Sequence, residues 1–369
     1  MKKKIYNTDK KGIEEAISVL KKGGIIAFPT DTVYGIGGDA YDKSAVTKIF
    51  RIKRRKREKP LVIFLSQNKQ LNKFVRNLSK TRKKVYEHFL PGEITLIMKA
   101  KKSVPPWLIS REKTISVRIP DSNFLKKLLV GFKNPLVTTS ANISGEPPAS
   151  KYRNINLDVN LILRDDSFPS GTPSTILDMS LYPFVLRRKG TISVFNLERY
   201  IPSKVRFDKS IVFNVLFVCT GNSCRSPIAE GILKKFLKEK GLKNVYVSSC
   251  GILAGDGWLP TENAVLSASE QGSDIRSHRS RAINREMAED ADLILCMETF
   301  HKKRVNSLLP EGKDKVFLLS EFAGKSGGIN DPIGGDMQIY RKVTREIKRH
   351  IKGVADNIER RFRTAIIKK

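Results

Sequence analysis

Val215-Leu216-Phe217-Val218-Cys219-Thr220-Gly221-Asn222-Ser223-Cys224-Arg225-Ser226-Pro227 decides the fold of the second half of the chain. Residues 215–218 are a short apolar run, as a buried strand presents. The strand delivers Cys219 into a seven-residue loop ending at Arg225, with Ser226 where a helix N-cap belongs and Pro227 in the first turn. Gly221 permits a tight loop whose backbone N–H groups face a tetrahedral anion, and a helix N-terminus adds positive potential. The planar fork of Arg225 can grip two phosphate oxygens. In that field the Cys219 thiolate is expected to be favoured, below the free thiol value of ~8.5. A nucleophile beside an anion cradle predicts phosphoryl transfer through a phosphocysteine. Asp331, pinned by Pro332 in Asn330-Asp331-Pro332-Ile333-Gly334-Gly335, is the carboxylate aimed to protonate the leaving group.

Outward from this loop, strands at 214–218, 245–248 and 293–297 alternate with a helix at 228–240, and a basic helix closes the half from 338 to about 358. In the first half, Ile13, Ala16, Ile17 and Leu20 recur at helical spacing before Gly23-Gly24, and residues 25–28 read as a buried strand. Residues 45–52 read as a helix, and 61–65, 96–98 and 115–119 as strands. This alternation predicts two α/β domains with mostly parallel, covered sheets. The polar, basic stretch 201–211 reads as a linker between domains at 1–200 and 212–369.

The 369 residues suit two domains, and a 40% hydrophobic fraction excludes wholesale disorder. No apolar run reaches the ~18 residues of a membrane helix, and no signal peptide follows the basic start, so a soluble, cytoplasmic protein is expected. Four scattered cysteines, with neither C-x-x-C nor H-E-x-x-H, predict neither a disulfide framework nor a protein-held metal. Cys224, inside the loop, could bridge Cys219 reversibly under oxidation. The net charge of +32 is uneven: residues 1–210 hold 42 basic and 18 acidic side chains. Such a balance implies anionic partners such as RNA, nucleotides or carboxylates.

The loop motif, Ser248-Ser249-Cys250-Gly251, Ser277-His278-Arg279-Ser280-Arg281 and Ala291-Asp292-Leu293-Ile294-Leu295-Cys296-Met297 together resemble the low-molecular-weight protein tyrosine phosphatase family. The resemblance implies a Rossmann-like parallel sheet and no cofactor. It makes Cys219 the nucleophile, Arg225 the phosphate-binding arginine and Asp331 the general acid. Asn222 would shape the loop, and Ser226 would hydrogen-bond the thiolate. Thr220 beside the nucleophile, and Ile333-Gly334 in place of ring-sandwiching tyrosines, are similar to the bacterial protein-arginine phosphatase branch. Phosphoarginine is the expected substrate and phosphotyrosine the alternative. An arsenate-reductase relay lacks its later cysteine pair.

The first half carries no G-x-x-x-x-G-K-[ST] and no G-x-G-x-x-G. It has hydroxyl, amide and cation clusters: Pro29-Thr30-Asp31-Thr32-Val33-Tyr34-Gly35, the block 51–59 with seven of nine residues basic, Thr114-Ile115-Ser116-Val117-Arg118, Ser140-Ala141-Asn142, Gly171-Thr172-Pro173-Ser174-Thr175 and Arg188-Lys189-Gly190. Separated cations suit a ligand with separated negative groups. In this order the blocks resemble the YrdC-type threonylcarbamoyl-AMP synthases, with a twisted open α/β sheet. The family condenses L-threonine, bicarbonate and ATP, with Mg²⁺, into threonylcarbamoyl-AMP for modification of adenosine 37 of tRNA. The resemblance implies that Lys53, Arg55, Lys59, Thr114, Ser140, Asn142 and Arg188 face ATP, and that Thr32, Arg118 and Ser174 hold threonine. Phe64 stands where some members have a histidine, and Arg54 and Lys56 replace small residues. A bifunctional enzyme with tRNA or its modification machinery and phosphoproteins as partners, and neither membrane nor DNA, is expected. The alternative is an inactive RNA-binding module tethered to an active phosphatase.

Overall fold

The computed structural model describes residues 4–56, 60–76, 78–165 and 171–363. The chain divides into two compact units, Met1–Val205 and Arg206–Lys369. Within the stretch read as a linker, the Val205 N–H donates to Glu198 in the first unit, and Phe207 packs on Phe213 and Phe362 in the second.

The first unit contains β1 (Lys4–Asn7), β2 (Ile26–Phe28), β3 (Gly35–Asp39), β4 (Val62–Phe64), β5 (Ile94–Lys99), β6 (Thr114–Arg118), β7 (Leu136–Ser140), β8 (Leu161–Arg164), β9 (Thr175–Asp178) and β10 (Val185–Arg188). They lie side by side in the order β1-β8-β2-β3-β7-β4-β6-β5-β9-β10. The sheet is mixed, not mostly parallel: β4 runs parallel to β6 but antiparallel to β7, and β5 runs antiparallel to β6. The short hairpin β2–β3, which a parallel pairing could not use, is one source of the mixing. Glycines hide β3 from a hydrophobic pattern. A Cβ on Gly37 would approach Val137 O to 3.0 Å, and one on Gly38 would meet Ile25 Cδ1 at 2.8 Å. The helices Lys10–Lys21 and Asn123–Phe132 cover one face, burying Ala16, Leu20, Leu125, Leu128 and Phe132 against Phe28, Phe64, Leu136 and Leu163. Asp9 caps the first helix on the Gly12 N–H at 2.8 Å, and Ser122 caps the second on Leu125.

In the second unit, β11 (Phe213–Cys219), β12 (Val245–Gly251), β13 (Leu293–Cys296) and β14 (Val316–Leu318) form an all-parallel sheet in the order β12-β11-β13-β14, as the alternation predicts. Helices Arg225–Glu239 and Met337–Phe362 follow the expected pattern, the first starting at Arg225 rather than at 228. Ser226 is therefore inside the helix. Cys224 occupies the N-cap without a capping side chain, which leaves the first-turn amides turned to the loop.

Leu20 is 1% exposed in the first core. Leu20→Ala should cost about 2–5 kcal/mol in urea denaturation of the full chain; a change below about 0.5 kcal/mol would contradict this packing.

Candidate active sites

At the C-terminal end of β11 the chain turns sharply inward around Cys219. Asn222 takes the left-handed conformation at φ 55°, fully buried, and its N–H approaches Cys219 Sγ at 3.3 Å. Its side-chain amide donates to the Ser226 and Ser249 hydroxyls, both at 2.9 Å, and its Oδ1 accepts the Arg281 N–H. The Ser226 hydroxyl in turn lies 2.9 Å from Cys219 Sγ, within hydrogen-bonding reach. The bonds of Asn222 therefore tie the loop to β12 and to the 277–281 segment.

Arg225 lies at the first turn of its helix, 1% exposed, and ion-pairs with Glu298 through Nη1 and with Asp331 through Nη2. Nη1 also donates to Ile329 O at 2.8 Å, and Nη2 reaches Thr220 Oγ1 at 3.3 Å. The structure thus brings together Cys219, Thr220, Asn222, Arg225, Ser226 and Asp331. Glu298 was missed by the sequence reading; its only signal is its place just after the apolar strand 293–297.

The Cys219 thiol differs from expectation. Burial pushes it up, while the Ser226 hydroxyl, Arg225 and the Asn222 amide pull it down without prevailing. Burial is the largest influence; Arg225, which also pairs with Glu298 and Asp331, still favours the thiolate but does not offset it. Cys250 and Cys296 are also raised by burial. Cys224 Sγ lies 3.3 Å from both Thr261 Oγ1 and Tyr340 Oη.

In the first unit, three clusters form around strand ends. Lys53, the C-cap of the Lys43–Ile52 helix and 1% exposed, donates Nζ–H to Ser140 O at 2.5 Å and to Asn142 Oδ1 at 3.0 Å. Arg118 donates to Thr32 Oγ1 at 2.9 Å, to Gly92 O at 3.1 Å, and pairs with Asp31 at 2.7 Å. Its guanidinium also stands 5.8 Å from the Phe64 ring centroid. Arg188 donates to the carbonyl and hydroxyl of Ser174, both at 3.0 Å, and that hydroxyl meets Thr95 Oγ1.

Thr114 belongs to a different level of the sheet from Arg118. Val62 lies opposite both Thr138 and Ser116. Two residues on, Ser140, Pro60 and Thr114 therefore share one end and one face, about 13 Å along β6 from Arg118. Arg55 joins that end by donating to Pro60 O at 3.0 Å. Lys59 lies outside the described residues.

Electrostatics tie the clusters together. Lys53 is held down to about 8, first by burial and then by Arg55, with Glu146 opposing. Arg188 is lowered by desolvation, then by Arg118 and Arg55. Lys53 and Arg55, Arg55 and Arg188, and Arg188 and Arg118 thus repel in a linked series, an arrangement that an anionic ligand relieves.

One consequence concerns Cys219. Glu298→Gln removes one carboxylate from Arg225 and should move the pH midpoint of Cys219 alkylation downward; an upward shift would contradict the competition for Arg225.

The family described as Telomere recombination (Sua5, YciO and YrdC) matches residues 18–190, and the family described as Low molecular weight phosphotyrosine protein phosphatase matches residues 214–364. A putative threonylcarbamoyl-AMP synthase of Methanocaldococcus jannaschii is 32% identical over 53% of this chain and 96% of its own length. The threonylcarbamoyl-AMP synthase of Pyrococcus abyssi is 31% identical over 51% of this chain, which spans 57% of that protein's length. The protein-arginine-phosphatase of Bacillus subtilis is 36% identical over 40% of this chain and 97% of its own. The solved structure of P. abyssi Sua5 complexed with L-threonine shares the fold, with a TM-score of 0.53 at 21% identity over 96% of this chain and 97% of that one. No helix among the described residues is long and apolar enough to cross a membrane. The chain joins a member of the Sua5, YciO and YrdC family, over residues 18–190, to a member of the low molecular weight phosphotyrosine protein phosphatase family, over residues 214–364.

Proposed function

We propose that the chain is a bifunctional cytoplasmic enzyme. In this reading residues 1–200 are a threonylcarbamoyl-AMP synthase domain, 201–211 a linker and 212–369 a protein phosphatase domain that prefers phosphoarginine. What supports the first activity is the series of cations Lys53, Arg55, Arg188 and Arg118, each repelled by a neighbour in it and set beside hydroxyls of Ser140, Ser174 and Thr32. Lys53, Arg55 and Arg188, with Lys59, Thr114, Ser140 and Asn142, face ATP. Thr32, Arg118 and Ser174 hold L-threonine, whose carboxylate takes over from Asp31 on the Arg118 fork. The threonine amine nitrogen bonds to the bicarbonate carbon, a C–O bond breaks, and the oxygen leaves as water with the amine's proton, giving a carbamate. A carbamate oxygen attacks the α-phosphorus, the bond to the β-phosphate oxygen breaks, and pyrophosphate leaves. Mg²⁺ arrives with the nucleotide as part of the substrate, and the chain's own cations neutralise the remaining charge. The chain contributes alignment and electrostatics rather than proton shuttling. The product passes to adenosine 37 of tRNA through the tRNA-modification machinery.

In the phosphatase reading, the Cys219 thiolate attacks phosphorus while Arg225 exchanges its carboxylates for two phosphoryl oxygens. Asp331 gives its proton to the departing guanidine nitrogen as the P–N bond breaks. Water then attacks the phosphocysteine, Asp331 takes a water proton, and phosphate leaves. Thr220, the Ile333-Gly334 turn without aromatic residues and the arginine-phosphatase relative favour phosphoarginine over phosphotyrosine.

Three measurements test these roles. Pyrophosphate release from ATP should require both threonine and bicarbonate, and Arg118→Ala should cut it by roughly 100-fold or more; threonine-independent release, or none, would sink the synthase reading. ATP affinity should be flat below pH 8 and weaken up to tenfold per pH unit above it, because neutral Lys53 must first regain a proton that burial and Arg55 disfavour. Lys53→Met should abolish that slope; an unchanged slope would remove Lys53 from the phosphates. Thr220→Ile should shift turnover from phosphoarginine toward phosphotyrosine, and no shift would count against the substrate assigned.

A further inference from the structure

The Thr220 hydroxyl is held by more than its own backbone. Its Oγ1 lies 2.9 Å from His301 Nε2 and 3.3 Å from Arg225 Nη2. His301 sits in the first turn of the Thr299–Leu308 helix, 0% exposed, and its Nδ1 accepts the Glu298 backbone N–H at 3.0 Å. A ring nitrogen that accepts an amide proton carries none, so the neutral ring bears its proton on Nε2 and donates it to Thr220. Burial and the neighbouring Arg225 push His301 down to about 4, with Asp331 opposing, which keeps the ring neutral near pH 7. With His301 and Arg225 both donating to it, Thr220 Oγ1 has both lone pairs filled. When Arg225 turns from Glu298 and Asp331 to a phosphoryl group, it releases one of them, and His301 keeps the other.

We propose that His301 is a positioning residue of the phosphatase, holding Thr220 Oγ1 so that its released lone pair accepts an N–H of a departing guanidine and thereby favours P–N over P–O substrates. An aryl oxygen leaving group offers no N–H at this place and gains nothing from the same hydroxyl. His301 touches no reacting atom, and no bond forms or breaks at it. The inference rests on the phosphoarginine reading given above.

Two substitutions separate the ring's two bonds. In His301→Asn the amide oxygen can still accept the Glu298 N–H, but the side chain is too short to donate to Thr220. In His301→Gln the longer amide can reach Thr220. With the full chain, kcat/KM for phosphoarginine and for phosphotyrosine would be measured in wild type, both variants, Thr220→Val and the double variants. His301→Asn should lower the phosphoarginine-to-phosphotyrosine ratio about tenfold, His301→Gln should recover most of it, and neither should change the ratio further in the Thr220→Val background. Equal losses on both substrates, or the same ratio change with Thr220→Val already present, would overturn the role of His301. A wild type that prefers phosphotyrosine would overturn the phosphoarginine reading and this role together. A wild type that prefers phosphoarginine with an unaltered ratio in His301→Asn would overturn the role of His301 alone.

Discussion

Arg225 is a guanidinium with 1% of its surface exposed, at the first residue of a fifteen-residue helix. That end of a helix carries positive potential, so burial and dipole both disfavour a cation there. Only bonding partners keep it in place, and the protein supplies Glu298, Asp331, Ile329 O and Thr220. Breaking a buried pair from one side typically costs about 3–5 kcal/mol. The same arrangement lets a dianion exchange with the two carboxylates without leaving the guanidinium uncompensated. In the proposed reaction two events are linked: Arg225 turns to phosphate, and Asp331 is released to act as an acid.

The first unit handles buried cations differently. Arg118 is neutralised by Asp31 in a pair with both side chains under one-tenth exposed. Among the described residues Lys53 donates to carbonyl, hydroxyl and amide oxygens, and burial followed by Arg55 lowers its affinity for a proton. In the proposed function one cation is matched to exchange a carboxylate for a carboxylate, and the others to receive charge. That division follows the two chemical ends expected of the reactants, an amino acid and a polyphosphate.

Where local chemistry dictates structure, the sequence was readable. The apolar run before Cys219, the loop and Ser226-Pro227 define a strand, a turn and a helix within thirteen residues, and the parallel sheet of the second unit follows from its strand–helix alternation. The first unit was less legible. β3 is built of glycines because neighbouring atoms leave no space for a Cβ, so it carries no hydrophobic pattern. Its mixed strand directions depend on the hairpin that β3 completes. Ser226, expected at the N-cap, is the second residue of a helix that begins earlier than the spacing implies, and its hydroxyl lies against the sulfur. Glu298 and His301 could not be found from spacing: they meet Arg225 and Thr220 because β13 lies beside β11, and the place of Glu298 after the apolar strand does not by itself name a partner. The direction of the Cys219 shift is not legible locally either, because it follows from complete burial of the sulfur, which depends on the tertiary packing around the loop.

The central claim, that Arg225 trades its carboxylates for a tetrahedral oxyanion, is tested most directly by a crystal structure of the full chain with tungstate. The account predicts tungstate within the 219–225 loop, beside Cys219 Sγ, with both Nη atoms of Arg225 on its oxygens and Glu298 and Asp331 displaced. An empty loop at saturating tungstate, with both ion pairs of Arg225 intact, would contradict it.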